Sequence, residues 1–243
     1  MDSVETDRRQ FEFSDATRER AHAIIARYPA GRERSALLPL LHLVQSEQGQ
    51  VTPAGVAFCA EQLGLTKAEV GAVATFYTMY KRRPTGEYLV SVCTNTLCDM
   101  LGGGDIYRRL SAELGVGHDE TTADGTVTLE HAECLAACDY APIVTVNYEF
   151  YDNQTEESAS NMVAALRAGE RPPPTRGAGL CSLKEMALQL AGLTDERDGA
   201  LEAGSPGAPS LRGTYLAEEH NISAPSYDPH APIPAAPAKE GAK

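Results

Sequence analysis

The chain has 243 residues, 42% of them hydrophobic, enough for one large domain or two small ones with an ordinary core. Its formal net charge is −13, from 21 basic and 34 acidic side chains, which excludes the basic face that nucleic acid requires and opposes adsorption to anionic lipid. No apolar run reaches bilayer-spanning length, and the opening MDSVETDRRQFEF resembles neither a secretory signal nor a transit peptide, so a cytoplasmic protein of bacterial type is expected.

The first 83 residues read as a helical unit of four helices. SDATRERAHAIIARYP offers Ser14 or Asp15 as an N-cap and puts Ile24 and Ile25 on an apolar face. RERSALLPLLHLVQSEQG is dense in leucine, with Pro39 expected to kink it. Thr52-Pro53 is a cap followed by the residue best tolerated at the first helical position. Thr66 and Glu69 form a capping box that opens KAEVGAVATFYTMY.

The pattern changes after the turn-rich Arg83-Pro84-Thr85-Gly86. Between 84 and 170 the sequence predicts a strand at YLVSVC, a helix at GDIYRRLSAEL, a strand at TVTLEHAECL and a strand at PIVTVN that pairs with EFYDN as a hairpin. Thr155 then caps a last helix, TEESASNMVAALRAG. The order β-α-β-β-β-α gives an α+β chain with a small sheet under helices, close to a thioredoxin-like arrangement. Residues 171–243 read as an extended Pro/Ala/Gly-rich tail with one short amphipathic helix near 181–193. Leu211, Tyr215, Leu216, Ile222 and Tyr227 are its candidate anchors on a neighbouring subunit, with a disordered appendage as the alternative.

Six cysteines punctuate the chain, and four fall in two close pairs: Cys93-x4-Cys98, then 35 residues, then Cys134-x3-Cys138. A reducing compartment disfavours structural disulfides, so clustered thiols point to metal or redox chemistry. If the two preceding strands are neighbours in one sheet, both pairs emerge from loops at one edge and four thiolates converge. Zinc knuckles favour tighter spacing. Gaps of four and three suit a larger two-iron object, each pair gripping one iron. Zinc and a redox thiol pair stay open on spacing alone. Backbone N–H groups of Thr94 to Leu97 can face cluster sulfurs, and Asp99, Glu133 and Asp139 oppose adding an electron, so a low potential is expected.

VCTNTLC, ECLAACDYAP, the preceding ETTADGTVTL, ALLPLLHLVQSEQG and VATFYTMYKRRPTGEY together closely resemble the thioredoxin-like [2Fe–2S] subunit family of NADH-quinone oxidoreductase, bacterial respiratory complex I. The resemblance runs from about residue 14 to about residue 169. It implies that Cys93, Cys98, Cys134 and Cys138 ligate a [2Fe–2S] cluster, close to the FMN of a partner flavoprotein. It implies one-electron transfer from reduced flavin, with FMN and NADH on the partner and no turnover from the isolated chain. The partners are then the flavin-binding NADH dehydrogenase subunit and the large iron–sulfur subunit, in a hetero-oligomer peripheral on the cytoplasmic side of the inner or plasma membrane. The same fold also serves NAD-linked hydrogenases and formate dehydrogenases. A zinc-stapled adaptor and a thiol–disulfide oxidoreductase complete the alternatives, the last weakened by the missing CxxC. The family usually reads ECLGAC; Ala136 stands where that glycine would permit a positive φ, so the turn is expected to differ slightly.

Other candidates have plainer readings. Cys59 is expected to be a small core residue and Cys181 an incidental thiol. His118 and His131 are weak candidate ligands beside four cysteines, and His42 reads as a satisfied core histidine. Gly102-Gly103-Gly104-Asp105 lacks the lysine of a phosphate loop and reads as slack before a helix. Phe76, Tyr77 and Tyr80 form an aromatic stripe expected in the core.

Overall fold

The structure, a computed structural model, describes residues 12–195, 197–200, 207–223, 228 and 230. Residues 1–11 and Tyr227 lie outside the described residues. Four helices come first: α1 (Asp15–Ile25), α2 (Leu37–Gln48), α3 (Pro53–Leu63) and α4 (Lys67–Phe76). Each start that a polar residue caps does so with its own hydroxyl: Ser14 accepts from the Thr17 N–H, Thr52 from Gly55 and Thr66 from Glu69. The expected kink at Pro39 does not arise. A 3-10 turn (Glu33–Ala36) precedes α2, so Pro39 falls in the first turn, where the ring displaces no intrahelical hydrogen bond. Helix α4 stops at Phe76 rather than running on to Tyr80. Phe13, Ile24, Leu40, Leu41, Val44 and Phe58 fill the core of this layer.

A five-stranded sheet follows, in the order β2-β3-β1-β4-β5. Its strands are β1 (Tyr88–Cys93), β2 (Glu120–Thr121), β3 (Val127–Ala132), β4 (Val144–Val146) and β5 (Glu149–Tyr151). β1 and β3 are parallel, with Cys93 opposite Ala132; every other pairing is antiparallel. All six residues of β1 are buried, because helices cover one face and the helical layer the other. On the first face Tyr88, Val90 and Val92 meet Ile106 and Leu110 of α6 (Gly103–Leu114) and Met162, Val163 and Leu166 of α7 (Glu156–Arg167). On the second, Ser91 donates to Glu130, which receives the buried Lys81 ammonium that ends the helical layer.

After α7 the chain returns to the beginning of the molecule. Helix α8 (Leu183–Leu190) lies along α2, and Ala191 joins the core of the helical layer. Residues 171–200 are therefore not the extended tail that the proline run implies. The described residues up to Ala200 belong to one compact unit. Helix α9 (Ala208–Glu219) belongs to a second unit and has no buried side chain. Among the described residues no helix is long and apolar enough to cross a membrane.

Candidate metal centre

The parallel pairing of β1 with β3 decides the site. Cys93 is the last residue of β1, and its N–H donates to the Ile143 carbonyl at 3.0 Å. The next N–H, of Thr94, donates to Ala132, the last residue of β3, at 3.1 Å. Both chain segments thus leave the sheet side by side. The first does not continue as a loop: Thr96–Met100 closes a short helix, α5, which carries Cys98. The second turns through Cys134 to a 3-10 turn, Cys138–Tyr140, before the cis Ala141–Pro142 peptide and β4.

Each of the two segments carries a cysteine pair at this edge. Cys93 and Cys98 are both buried. Cys134 and Cys138 are exposed, with their Sγ atoms 3.5 Å apart. Ala137 and Ile143 pack against the buried pair, with Leu135, Tyr140, Ala141 and Phe150 around them. Among the described residues no group of three or more His, Cys, Asp or Glu side chains closes around a single ion. The donor set of the edge is two cysteine pairs, one on each segment.

Two of the thiols are shifted by their surroundings. Burial and the contact with Cys93 push the Cys98 thiol up to about 11. The contact with the Cys134 sulfur, then burial, raises Cys138.

Small residues set the close approaches. A Cβ on Gly103 would overlap the Cys93 carbonyl oxygen and crowd that of Cys98, and one on Gly104 would overlap the Asp99 carboxylate. Gly103 and Gly104 are buried, so the glycine run is a tight seat for α6 against the cysteine segment and not slack. Ala136 takes the conformation expected of glycine, with φ of 57°, and its N–H donates to the Cys134 sulfur at 3.4 Å. The turn is kept despite the methyl group. Below the site Arg176 forms a two-pronged ion pair with Asp152, at 2.8 and 2.7 Å, and lies over the Tyr140 and Phe150 rings.

The remaining candidates fall elsewhere. Cys59 is fully buried in the helical core, its thiol pushed up to about 12 by burial. Cys181 is buried too, and its carbonyl accepts from Asn147. His118 and His131 stack on each other at 4.0 Å, and His118 Nδ1 accepts the His131 N–H. His42 is buried, but its Nδ1 has no hydrogen-bond partner, so it is a core histidine that is not satisfied. Tyr80 is core, donating to the Leu38 carbonyl, while Phe76 is 77% exposed, which splits the aromatic stripe. One contact has no signal in the spacing: the Asn95 amide donates to Glu133 at 2.7 Å, joining the two cysteine-bearing segments.

Known proteins place this architecture. Residues 21–167, more than half of the chain, match the thioredoxin-like [2Fe–2S] ferredoxin family. The E-type subunit of NADH-quinone oxidoreductase from Mycobacterium bovis is 61% identical over 205 residues, covering 84% of this chain and 80% of that one. NADH-quinone oxidoreductase subunit 2 of Thermus thermophilus is 35% identical over 170 residues, covering 70% of this chain and 94% of that protein. The crystal structure of an NAD+-reducing [NiFe]-hydrogenase in the H2-reduced state is 20% identical, with a TM-score of 0.49, over 54% of this chain and 22% of that one. On the family match and the two curated relatives, the chain belongs to the thioredoxin-like [2Fe–2S] ferredoxin family.

Proposed function

We propose that this chain is the electron-transferring subunit of an NADH-quinone oxidoreductase, with Cys93 and Cys98 holding one iron of its [2Fe–2S] cluster and Cys134 and Cys138 the other. The observation that carries the assignment is the β1–β3 register, Cys93 opposite Ala132, which brings both cysteine pairs to one sheet edge. When bound, the cluster supplies a one-electron redox centre. The protein's own part is to bind and to screen. Ala137 and Ile143 keep water from the inner pair, while the outer pair opens to the surface where a redox partner approaches.

That partner is the flavin-bearing subunit, with the large iron–sulfur subunit completing the assembly. NADH and FMN bind there and not on this chain. Attachment to the cytoplasmic face of the membrane then runs through the complex. Leu97, Met100 and Leu101, all exposed and all within three residues of Cys98, supply the contact.

The test is metal and acid-labile sulfide analysis of anaerobically purified protein, with EPR after dithionite reduction. Two irons and two sulfides per chain, with a rhombic signal that Cys134→Ser abolishes or reshapes, are expected. One zinc with no sulfide, even after anaerobic reconstitution, overturns the assignment.

A further inference from the structure

Five of the helix starts that carry Ser or Thr at the N-cap use that side chain to cap their own helix: Ser14, Thr52, Thr66, Thr155 and Ser182. Asn95 stands at the N-cap of α5 with the extended backbone of a capping residue, φ −86° and ψ 161°, yet makes no capping bond. Asparagine is among the strongest N-caps, and forgoing that bond costs about 1 kcal/mol. Its side chain is turned sideways instead. The Nδ2 group donates at 2.7 Å to Oε2 of Glu133, on the other cysteine-bearing segment.

The placement of both residues gives this bond its meaning. Asn95 follows Cys93 by two positions, and Glu133 directly precedes Cys134. The backbones beneath them are already paired, Thr94 to Ala132. Beyond that rung the two strands diverge into their cysteine turns, and the amide–carboxylate bond spans the gap. The donor is neutral, so it brings no countercharge to the carboxylate. An ion pair with lysine or arginine would have cancelled that charge at a distance; an amide fixes its position and leaves it acting. A fixed negative charge beside a ligand opposes the addition of an electron to the centre that ligand holds.

We infer that Asn95 and Glu133 are positioning residues: their bond clasps the two cysteine segments together and pins a negative charge beside Cys134 that lowers the reduction potential of the cluster. The inference rests on the proposed ligand assignment.

Full-length, cluster-loaded protein carrying Glu133→Gln, Asn95→Ala, or the exchange Asn95→Asp with Glu133→Gln separates the two roles. Midpoint potential, EPR g-values and the rate of iron loss to a chelator are the readouts. Glu133→Gln keeps an oxygen that accepts from Asn95 and loses the charge. It is expected to make reduction more favourable by up to about tenfold, which is about 59 mV for one electron, with g-values and iron loss unchanged. Asn95→Ala frees the segments, so iron is expected to leave several-fold faster with shifted g-values. The exchange restores an amide–carboxylate bond with the donor on the opposite side, and iron retention is expected to recover. A potential for Glu133→Gln equal to that of the parent overturns the charge role. Parental iron loss and g-values in Asn95→Ala overturn the clasp. A Cys134→Ser control that keeps the parental cluster signal instead defeats the ligand assignment, so the two failures are distinguishable.

Discussion

Ala136 holds a left-handed conformation, φ 57°, in which an L side chain costs about 1–2 kcal/mol. The strain persists because its N–H reaches the Cys134 sulfur, and because the turn must return within four residues to Cys138. Ala136→Gly is therefore expected to stabilise the chain by about 1 kcal/mol, seen as a higher urea midpoint with unchanged slope. A lower midpoint would mean that the unfolded-state entropy of glycine exceeds the relieved strain. His42 stores a second cost. Burial lowers its pKa from 6.5 to about 4. Between those values the unfolded chain takes up a proton that the folded chain refuses. The histidine's contribution is complete above about pH 6.5 and is lost as pH falls towards 4, by at most about 3 kcal/mol. Subtracting the stability–pH curve of His42→Leu from that of the parent isolates this term. A flat difference between pH 4 and 6.5 would remove it.

At the scale of elements, local chemistry is legible in the sequence and long-range packing is not. Thr66 with Glu69, and Thr155, announce their helices because caps act within one turn. The strands β1 and β3 show as β-branched runs, and a helix between them fits their parallel pairing. The two-residue β2 carries too little pattern to stand out. Pro39 misleads because its effect depends on where the helix begins, which a preceding 3-10 turn decides. Nor does composition show that α8 lies along α2, since that contact joins residues more than 130 positions apart. Lys81 is the sharpest case. A lysine in KRRP reads as solvated, yet it is buried at 5% exposure and bonded to Asp119 at 2.9 Å and to Glu130. Burial alone would lower its pKa, but the two carboxylates outweigh that and raise it. Removing one member strands the rest: Lys81→Met is expected to cost about 3 kcal/mol in urea unfolding, and Glu130→Gln added to it is expected to recover part of the loss. Full parental stability of the single variant would show that Glu130 rehydrates freely.

At the scale of the whole molecule, one exposed apolar patch among the described residues lies beside the cysteine segments. In a chain of net charge −13, Leu97, Met100 and Leu101 are 40%, 77% and 55% exposed, on and just after the short helix that carries Cys98. No folding argument accounts for them, because side chains facing water add little to the core. Cys98 and Gly103 fix the backbone of this stretch, so the three side chains are held outward on a rigid seat. A flavin-bearing partner that covers them would lie against the helix that carries Cys98 and bring its own redox group near. Leu97→Ser, Met100→Ser and Leu101→Ser combined are thus expected to leave thermal stability and iron content unchanged. Each side chain contributes about 1.5–3 kcal/mol if fully buried by the partner, so even partial burial predicts an affinity for the flavin-bearing partner at least tenfold weaker. Calorimetric titration of the two purified proteins measures that affinity, and bleaching of the cluster's visible absorbance on adding NADH measures electron arrival. Weaker binding with proportionately slower bleaching would place the contact at this helix. Parental affinity in the triple variant would move the docking face elsewhere on the molecule, with the exposed Phe76 beside Tyr77 on the helical layer as the next surface to substitute.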